Sequence, residues 1–174
     1  MLRPILIHPD PRLKKVCDPL SEIDDAMRAL IEDMFETMYN APGIGLAAPQ
    51  LGINTRLVVM DCGSKEDGED PDPVCLINPR ILASSDEQLT WNEGCLSLPD
   101  MYADVTRPAE VEVQFTTPEG GEETRVFAGV RAICAQHEID HLNGKLFIDY
   151  LGPMRRQLIT QKMKKLKRER ARSG

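Results

Sequence analysis

Residues 130–144 read VRAICAQHEIDHLNG, and this stretch decides how the rest of the chain must be arranged. Its apolar residues and both of its histidines recur at α-helical spacing, which puts on one face Val130, Ile133, Cys134, His137 and His141. Gly144 is typical of the residue that follows the end of a helix. The pattern therefore predicts a helix that begins at Val130 and carries two histidines one turn apart.

Strand patterns precede this helix. Residues 111–117 (VEVQFTT) largely alternate apolar and polar side chains, and the turn PEGG separates them from residues 122–128 (EETRVFA), which predicts a β-hairpin. Further upstream, RLVVMD at residues 56–61 has the β-branched, apolar composition of a buried strand, and CLINP and ILASS predict further strands. The middle of the chain is therefore expected to form antiparallel sheet.

Helical patterns flank these strands at both ends. Asp25–Asn40 has apolar residues at a 3.6-residue period and is followed by Pro42, so a helix packed on the core is expected there. A second helix is predicted from Met154 to Arg172, with a weak apolar stripe. The predicted fold class is α+β, with antiparallel strands in the middle of the chain, an N-terminal helix before them, and the two-histidine helix and a C-terminal helix after them.

The charge distribution divides the chain into a body and a tail. The 174 residues carry a net charge of −7, yet residues 155–172 contain nine Lys or Arg against the single acid Glu169. The length fits one domain, so we expect a catalytic body at 1–153 and a basic helical extension of the same domain at 154–174. No signal-peptide pattern and no run of 18 apolar residues occurs, which predicts a cytoplasmic location with no membrane partner.

The strongest chemical signal is H-E-x-x-H at His137–His141. Residues four apart on a helix project to the same side, so the two imidazoles can bind one divalent metal while Glu138 reaches a water beside it. Two of the three histidines of the chain lie in this motif. A catalytic metal commonly takes a third protein ligand. The five cysteines form no C-x-x-C pair, and Cys95 stands out only because Gly94 and Pro99 bracket a bent strand end there.

Three blocks of sequence together resemble the bacterial peptide deformylase family. They are GIGLAAPQ at residues 43–50, EGCLSLP at residues 93–99 and QHEIDHLNG at residues 136–144. The similarity spans nearly the whole chain, and the combination is far more specific than H-E-x-x-H alone. It implies the family's α+β fold, in which antiparallel β-sheets pack around a central metal-binding helix. It also implies metal-dependent hydrolysis of the formyl group from the N-terminal formyl-methionine of new proteins, which releases formate.

The resemblance also implies roles for individual residues. Cys95, His137 and His141 would bind the metal, Glu138 would act as general base and then as general acid, and Gln50 with the Leu96 N–H would bind the oxyanion. Further residues would contact the substrate. The glycines would let the backbone approach the substrate closely, and the apolar side chains would form the walls of a pocket for the methionine side chain. These are Gly43, Ile44, Gly45, Glu93, Gly94, Val130, Ile133 and Cys134. For Val130, plain core packing is an equal alternative.

Some expectations concern the surroundings of this site. Glu93 and Arg107 are expected to pair and fix the pocket's rim, a contact that contributes little if it lies at the surface. Trp91 and Tyr102 lie where the family varies and could alter the pocket entrance. A Cys/His₂ ligand set suits zinc, whereas the resemblance points to Fe²⁺ in the cell, with Zn²⁺ or Ni²⁺ possible in purified protein.

The partners expected are N-formylmethionyl nascent peptides and, through the basic C-terminal helix, ribosomal RNA near the peptide exit. Two other interpretations stay open. One is an H-E-x-x-H metallopeptidase that cleaves internal peptide bonds, such as those of casein. The other is a non-catalytic, metal-stabilised ribosome-binding module, which would need a fourth protein ligand to close its metal site.

Overall fold

The computed structural model describes residues 1–64 and 66–173 and has the expected α+β fold. Its α-helices are α1 (Asp25–Asn40), α2 (Val130–Leu142) and α3 (Pro153–Ser173). Its strands are β1 (Gly45–Ala47), β2 (Leu57–Asp61), β3 (Pro73–Ser84), β4 (Gln88–Cys95), β5 (Leu98–Pro108), β6 (Glu110–Thr116) and β7 (Glu122–Ala128). Short 3-10 helices occupy Pro11–Lys14, Ala48–Leu51 and Phe147–Tyr150.

Helix α1 has the bounds that its apolar period predicts. The Asp24 side chain accepts a hydrogen bond from the Met27 N–H at 2.9 Å and so satisfies a free amide of the first turn. The chain leaves the helix at Ala41, just before Pro42. The inward face packs on β1 and β2 through Leu30, Ile31, Met34 and Met38.

A five-stranded antiparallel sheet in the order β1-β2-β3-β6-β7 forms the centre of the fold. The two strands expected at CLINP and ILASS are parts of one strand, β3, which keeps its pairing through irregular register. Asn78 explains the apparent break: it has a positive φ of 50°, and its amide side chain bonds the Leu20 backbone N–H and C=O, each at 2.8 Å. The strand bends there without ending.

Strands β4 and β5 form a separate two-stranded hairpin, of which the sequence predicted only a bent end near Cys95. Cys95 pairs with Leu98, so Leu96 and Ser97 make up the connecting turn. One face of β5 is buried through Leu98, Ala103, Val105 and Arg107. Because Arg107 occupies a buried position of β5, the alternation of apolar and polar residues that usually indicates a strand is interrupted there.

Helix α2 lies in the interior and contacts β1, β2, β5 and β7. Ten of its 13 residues are buried, so it is enclosed on nearly all sides. Gly144, with φ of +74°, ends this segment where an added Cβ would lie 2.4 Å from the Lys14 carbonyl oxygen. The expected helix bounds are confirmed. The polar side chains of Gln136, His137, Glu138 and His141 on α2 are buried in the protein interior.

Helix α3 begins at Pro153, one residue before the expected extension, and is described to Ser173; residue 174 lies outside the described residues. Ile159 and Met163 are buried in a cluster with Ile7 and Phe147. Thr160 Oγ1 bonds His8 Nε2 at 2.9 Å. The first half of α3 is therefore fixed to the body. No helix within the described residues has the length and apolar character needed to cross a membrane.

Candidate active site

A cavity of about 830 Å³ opens between the end of α1, strand β1, the β4–β5 hairpin and α2. The three sequence blocks at residues 43–50, 93–99 and 136–144 converge on it from these separate elements. All of the predicted site residues line the cavity except Gln50 and His141, which lie behind its wall. The fold thus brings together residues that are up to about 100 positions apart in sequence.

Cys95, His137 and His141 form a compact group of potential metal ligands. One ligand atom from each residue lies within 4.8 Å of the others, and Cys95 Sγ is 3.4 Å from His141 Nε2. In a tetrahedral site with metal–sulfur bonds of about 2.3 Å and metal–nitrogen bonds of about 2.0 Å, ligand atoms lie about 3.3–3.5 Å apart. The distance between Cys95 and His141 already has this value, and a contraction on the order of 1 Å elsewhere in the group would let the three residues hold one divalent ion.

The two histidines differ in their protonation. Burial lowers the pKa of His141 well below its usual value, which favours the neutral form that a metal ligand needs. Burial acts in the same direction on His137, but hydrogen bonds with Cys95 and Glu93 outweigh it and raise the pKa of His137. Binding of a cation at His137 therefore displaces a proton.

Glu93 hydrogen-bonds to the His137 ring and forms an ion pair with Arg107. His137 Nδ1 lies 2.9 Å from Glu93 Oε1, while Arg107 donates Nε to Glu93 Oε2 at 2.7 Å and Nη2 to Oε1 at 3.0 Å. Arg107 also donates to Asp140 at 2.8 Å, and Asp140 accepts a hydrogen bond from the Tyr150 hydroxyl at 2.7 Å. This network fixes the ring of His137 so that its other nitrogen is available as a ligand.

The expected position of the Glu93–Arg107 pair was wrong, although the pairing is confirmed. The two side chains are only 3% and 4% exposed, so the pair is buried behind the potential ligand His137 and does not lie at a solvated rim. Burial alone would raise the pKa of Glu93, but hydrogen bonds from His137 and Arg107 outweigh it and lower the pKa. The sequence could not reveal this because inward and outward positions of β5 were not recognised.

Glu138 lies beside the ligand group. Its Oε1 is 3.7 Å from His137 Nε2, and its buried Oε2 has no hydrogen-bond partner among the described residues. Burial raises the pKa of Glu138 to about 7, although the charge of His137 opposes this. A carboxylate of this kind, which lines the cavity but has a free oxygen, can accept a proton from a group that enters.

Gln50 and Leu96 both lie next to Cys95. The Gln50 Nε2 group donates to Ser97 Oγ at 3.1 Å and approaches Cys95 Sγ at 3.5 Å, while its Oε1 accepts from the Ala47 N–H at 2.9 Å. The Leu96 N–H, at the hairpin turn, donates to none of the described residues. Both donors therefore border the space around Cys95.

The glycines at residues 43 and 45 permit close packing between elements of the site. A Cβ on Gly43 would lie 2.8 Å from the Leu96 side chain, and one on Gly45 would lie 2.8 Å from Cys134 Sγ and 2.9 Å from Glu138 Cγ. The nearest obstacles are thus protein side chains. The absence of a Cβ lets β1 approach Glu138 and the hairpin, which narrows the site.

The apolar residues of the cavity comprise a wall on α2 and one on the loop before β1. Ile133 and Cys134 are buried, whereas Ile44 is 48% exposed across the opening. Val130 is partly buried, packs on the core beneath and also lines the cavity, so its position is compatible with core packing and with contact to a ligand. These walls give the cavity an apolar side.

Several residues of the cavity were not identified from the sequence. Trp91 and Tyr102, noted only as variable positions, line the cavity together with Leu2, Arg3 and Arg170. Arg170 comes from the last turn of α3, 29 positions after His141, and no sequence spacing could connect it to this site. The opening is therefore bordered by both ends of the chain.

Comparison with known proteins agrees with this geometry. The family model described as polypeptide deformylase matches residues 2–157. A peptide deformylase of Rhizobium meliloti (strain 1021) is 46% identical over 169 residues, which cover 97% of this chain and 96% of that protein. A peptide deformylase of Brucella suis biovar 1 (strain 1330) is 46% identical over 170 residues, or 98% of this chain and 96% of that protein.

Solved structures give the same result. The crystal structure of a peptide deformylase from Legionella pneumophila superposes with a TM-score of 0.89 at 42% identity, over 99% of both chains. That of the Ehrlichia chaffeensis enzyme in complex with actinonin gives a TM-score of 0.91 at 38% identity, over 96% of this chain and 98% of the other. Sequence and fold agree along nearly the full length, and this chain belongs to the polypeptide deformylase family.

Proposed function

We propose that the chain removes the formyl group from the N-terminal methionine of newly synthesised proteins, and that the residues around the cavity perform this hydrolysis. The observation that carries the proposal is the convergence of Cys95, His137 and His141 beside Glu138 in one cavity. Membership in the polypeptide deformylase family gives the reaction class. The individual roles below are inferred from contacts and charges.

Cys95, His137 and His141 would hold one divalent metal ion. A cation at such a site lowers the pKa of a bound water and polarises a carbonyl oxygen, and this is the chemistry that it supplies. We infer Fe²⁺ in the cell, with Zn²⁺ or Ni²⁺ accepted after purification. A thiolate and two imidazoles are compatible with all three ions.

Glu138 would move the proton. Glu138 lines the cavity, with Oε1 beside His137 and with Oε2 free of hydrogen bonds to the described residues, so the carboxylate accepts a proton from the attacking water and then donates it to the leaving amine nitrogen. Gln50 Nε2 and the Leu96 N–H would donate to the oxygen on which negative charge develops. Loss of one such donor costs about 10²–10³ in rate.

The shape of the cavity supports selection of a formyl-methionine end. Gly45 and Gly43 let side chains crowd the space near Glu138, where a hydrogen on the carbonyl carbon fits more easily than a methyl group. Ile44, Ile133 and Cys134 would enclose the methionine side chain. Strands β1 and β4 are both edge strands that face the cavity, so an extended peptide between them can form main-chain hydrogen bonds whatever its sequence.

The experiment that tests this proposal compares formate release from a formyl-Met tripeptide with acetate release from its acetyl counterpart. Protein is prepared without oxygen and loaded with Fe²⁺. We expect rapid formate release and no acetate. Equal release of both acids would contradict the steric selection, and cleavage of casein without formate release would favour a metallopeptidase. No hydrolysis, with one metal bound per chain, would favour the non-catalytic module.

We also propose that α3 contacts ribosomal RNA, which would bring the enzyme to nascent chains in the cytoplasm. Its exposed basic residues, among them Lys164, Lys165 and Arg168, form no ion pair with any acid in the described part of the chain. An unpaired basic helix favours binding to a polyanion. Residues 1–153 would remain the catalytic body.

Deletion of α3 is a poor test, because Ile159 and Met163 belong to the core. Charge reversal of Lys164, Lys165 and Arg168 to Glu leaves that core intact. We expect this variant to lose salt-sensitive binding to ribosomes, whereas reversal of three exposed basic residues outside α3, namely Lys15, Arg28 and Arg80, to Glu changes the net charge equally and should keep the binding. Unchanged affinity of the reversed variant would contradict ribosome binding through α3.

A further inference from the structure

Ser97, in the turn between β4 and β5, has a buried hydroxyl group that contacts Gln50. The Gln50 Nε2 group donates to Ser97 Oγ at 3.1 Å, although the two residues are 47 positions apart. Ser97 is 0% exposed and Gln50 is 1% exposed, so bulk water does not compete for this hydrogen bond. Ser97 does not line the cavity and has no part in the ligand set or in the proton transfer. Its hydroxyl therefore reaches the site only through Gln50.

The partners of the Gln50 amide fix which way it points. Its Oε1 lies 2.9 Å from the Ala47 backbone nitrogen, and because a backbone N–H can only donate, the amide oxygen must face Ala47. The amide nitrogen then faces Ser97, whose Oγ must be the acceptor. This contact uses one of the two amide hydrogens. The other is left for the contact with Cys95 Sγ, which lies 3.5 Å from Nε2.

The backbone holds Ser97 and Gln50 at this spacing. The His8 N–H donates to the Ser97 carbonyl oxygen at 2.9 Å, and the Leu6 N–H donates to the Gln50 carbonyl oxygen at 2.7 Å. One short segment near the N-terminus thus hydrogen-bonds to the main chain of both residues. The hydroxyl and the amide therefore face each other from two supported positions.

We propose that Ser97 is a positioning residue, which holds the Gln50 amide so that its second N–H faces the space beside Cys95. This inference rests on the proposed deformylase function, in which Gln50 donates to the oxygen that becomes negatively charged. Such a donor contributes most when its direction is fixed before the reaction, because it then needs no reorganisation as the charge develops. Ser97 fixes the nitrogen end of the amide, and Ala47 fixes the oxygen end.

Loss of the hydroxyl should disturb the direction of this donor. In Ser97→Ala, the amide hydrogen that faces Oγ would be buried without its acceptor, an arrangement that folded proteins avoid. The amide would turn toward another acceptor and take its second N–H away from Cys95. A displacement of about 1 Å costs on the order of 10²-fold in rate. Because the negative charge develops only as the reaction proceeds, the loss should appear in kcat and not in KM.

The first test is a double-mutant cycle, measured by formate release from a formyl-Met tripeptide with protein loaded with Fe²⁺ without oxygen. We expect kcat of Ser97→Ala to be about 10–10²-fold lower, with KM changed by less than about twofold. In a Gln50→Ala background, Ser97→Ala should lower kcat by less than about twofold, because the group that it positions is already gone. Ser85→Ala is the matched control and should keep kcat, since the Ser85 hydroxyl bonds Glu87 and Glu110 outside the cavity.

Three kinetic results would overturn the proposal. One is an unchanged kcat in Ser97→Ala. The second is an equal fall of kcat in both backgrounds, because Ser97 would then act through a group other than Gln50. The third is a fall that disappears when more metal is added, because the effect would then lie in metal binding at Cys95.

A second test does not depend on activity and uses zinc-loaded protein labelled with ¹⁵N. The NMR signals of the Gln50 side-chain amide are identified by their absence in Gln50→Ala. We expect Ser97→Ala to shift these signals and to speed the exchange of their hydrogens with water, whereas Ser85→Ala should change neither. Unchanged Gln50 signals in Ser97→Ala would overturn the proposal even if kcat fell. If Ser97→Ala shifted the signals but the unaltered protein released no formate, the hold of Ser97 on the amide would stand and the proposed function would be contradicted.

Discussion

Replacement of Glu93 with Gln removes the carboxylate that connects His137 to Arg107. Glu93 accepts three hydrogen bonds, from His137 Nδ1 at 2.9 Å and from Arg107 at 2.7 and 3.0 Å. Glutamine has a single side-chain oxygen, and its amide N–H₂ would have to face another donor. The substitution therefore breaks a buried ion pair and leaves at least one buried donor unsatisfied.

The expected cost follows from these contacts. Breaking one partner of a buried ion pair costs about 3–5 kcal/mol, and Arg107 keeps Asp140 as a second partner, so we expect the lower end, about 3 kcal/mol. Because His137 also loses its charged partner, the metal dissociation constant should rise about 10–100-fold. Urea unfolding of protein from which a chelator has removed the metal measures the loss of stability. Competition with a chelator measures the metal dissociation constant.

Asp72→Asn is a matched control for this experiment. Asp72 also lies between two arginines, Arg125 at 2.7 Å and Arg131 at 3.1 Å, but these side chains are about one-third exposed. We expect it to cost less than about 1 kcal/mol and to leave metal affinity unchanged. If Glu93→Gln bound metal as tightly as the unaltered protein, the assignment of Glu93 as the positioning residue of His137 would be refuted.

Three further predictions concern other parts of the fold. Burial lowers the pKa of His8 from 6.5 to about 4, so protonation of His8 favours the unfolded chain. The free energy of unfolding should therefore keep its full value above about pH 6.5 and be lower by about 2.5 kcal/mol at about pH 4.5. In urea unfolding, His8→Gln should show a flatter pH dependence than the parent protein. Gly45→Ala places a Cβ 2.8 Å from Cys134 Sγ and 2.9 Å from Glu138 Cγ, so kcat/KM should fall at least tenfold while Gly121→Ala leaves it unchanged. Met163→Ala should cost about 2–4 kcal/mol by chemical denaturation, and a cost below about 1 kcal/mol would show that α3 is not part of the core.

Periodicity predicted the elements whose surroundings are simple. Helix α1 has one apolar face, and β6 and β7 are joined by a turn rich in Pro and Gly, so pattern and structure agree there. The β4–β5 hairpin was predicted only at its bent end because its turn is Leu96-Ser97, without the glycine or asparagine that usually indicates one. The sequence predicted two strands where the structure has only β3. The positive φ of Asn78 makes the strand irregular at that point, but the strand continues beyond it.

The site was predicted to different degrees for physical reasons. His137, Glu138 and His141 share a helix, so their spacing alone brings them together. Cys95 and Gln50 come from other elements, and only the resemblance to a family connected them to the helix.

The surroundings of the ligands were predicted least well. Burial of Arg107 depends on which face of β5 points inward, and the position of Arg170 depends on where α3 packs. Neither is encoded in a local pattern, because both follow from packing between distant segments.

The most direct test of the central claim is formate release by Glu138→Ala, measured beside the unaltered protein at equal metal occupancy. If Glu138 moves the proton, the variant should bind one metal per chain, and its rate of formate release from a formyl-Met tripeptide should be about 10²–10⁴-fold lower. A fully loaded variant that releases formate at the parent rate would contradict the account.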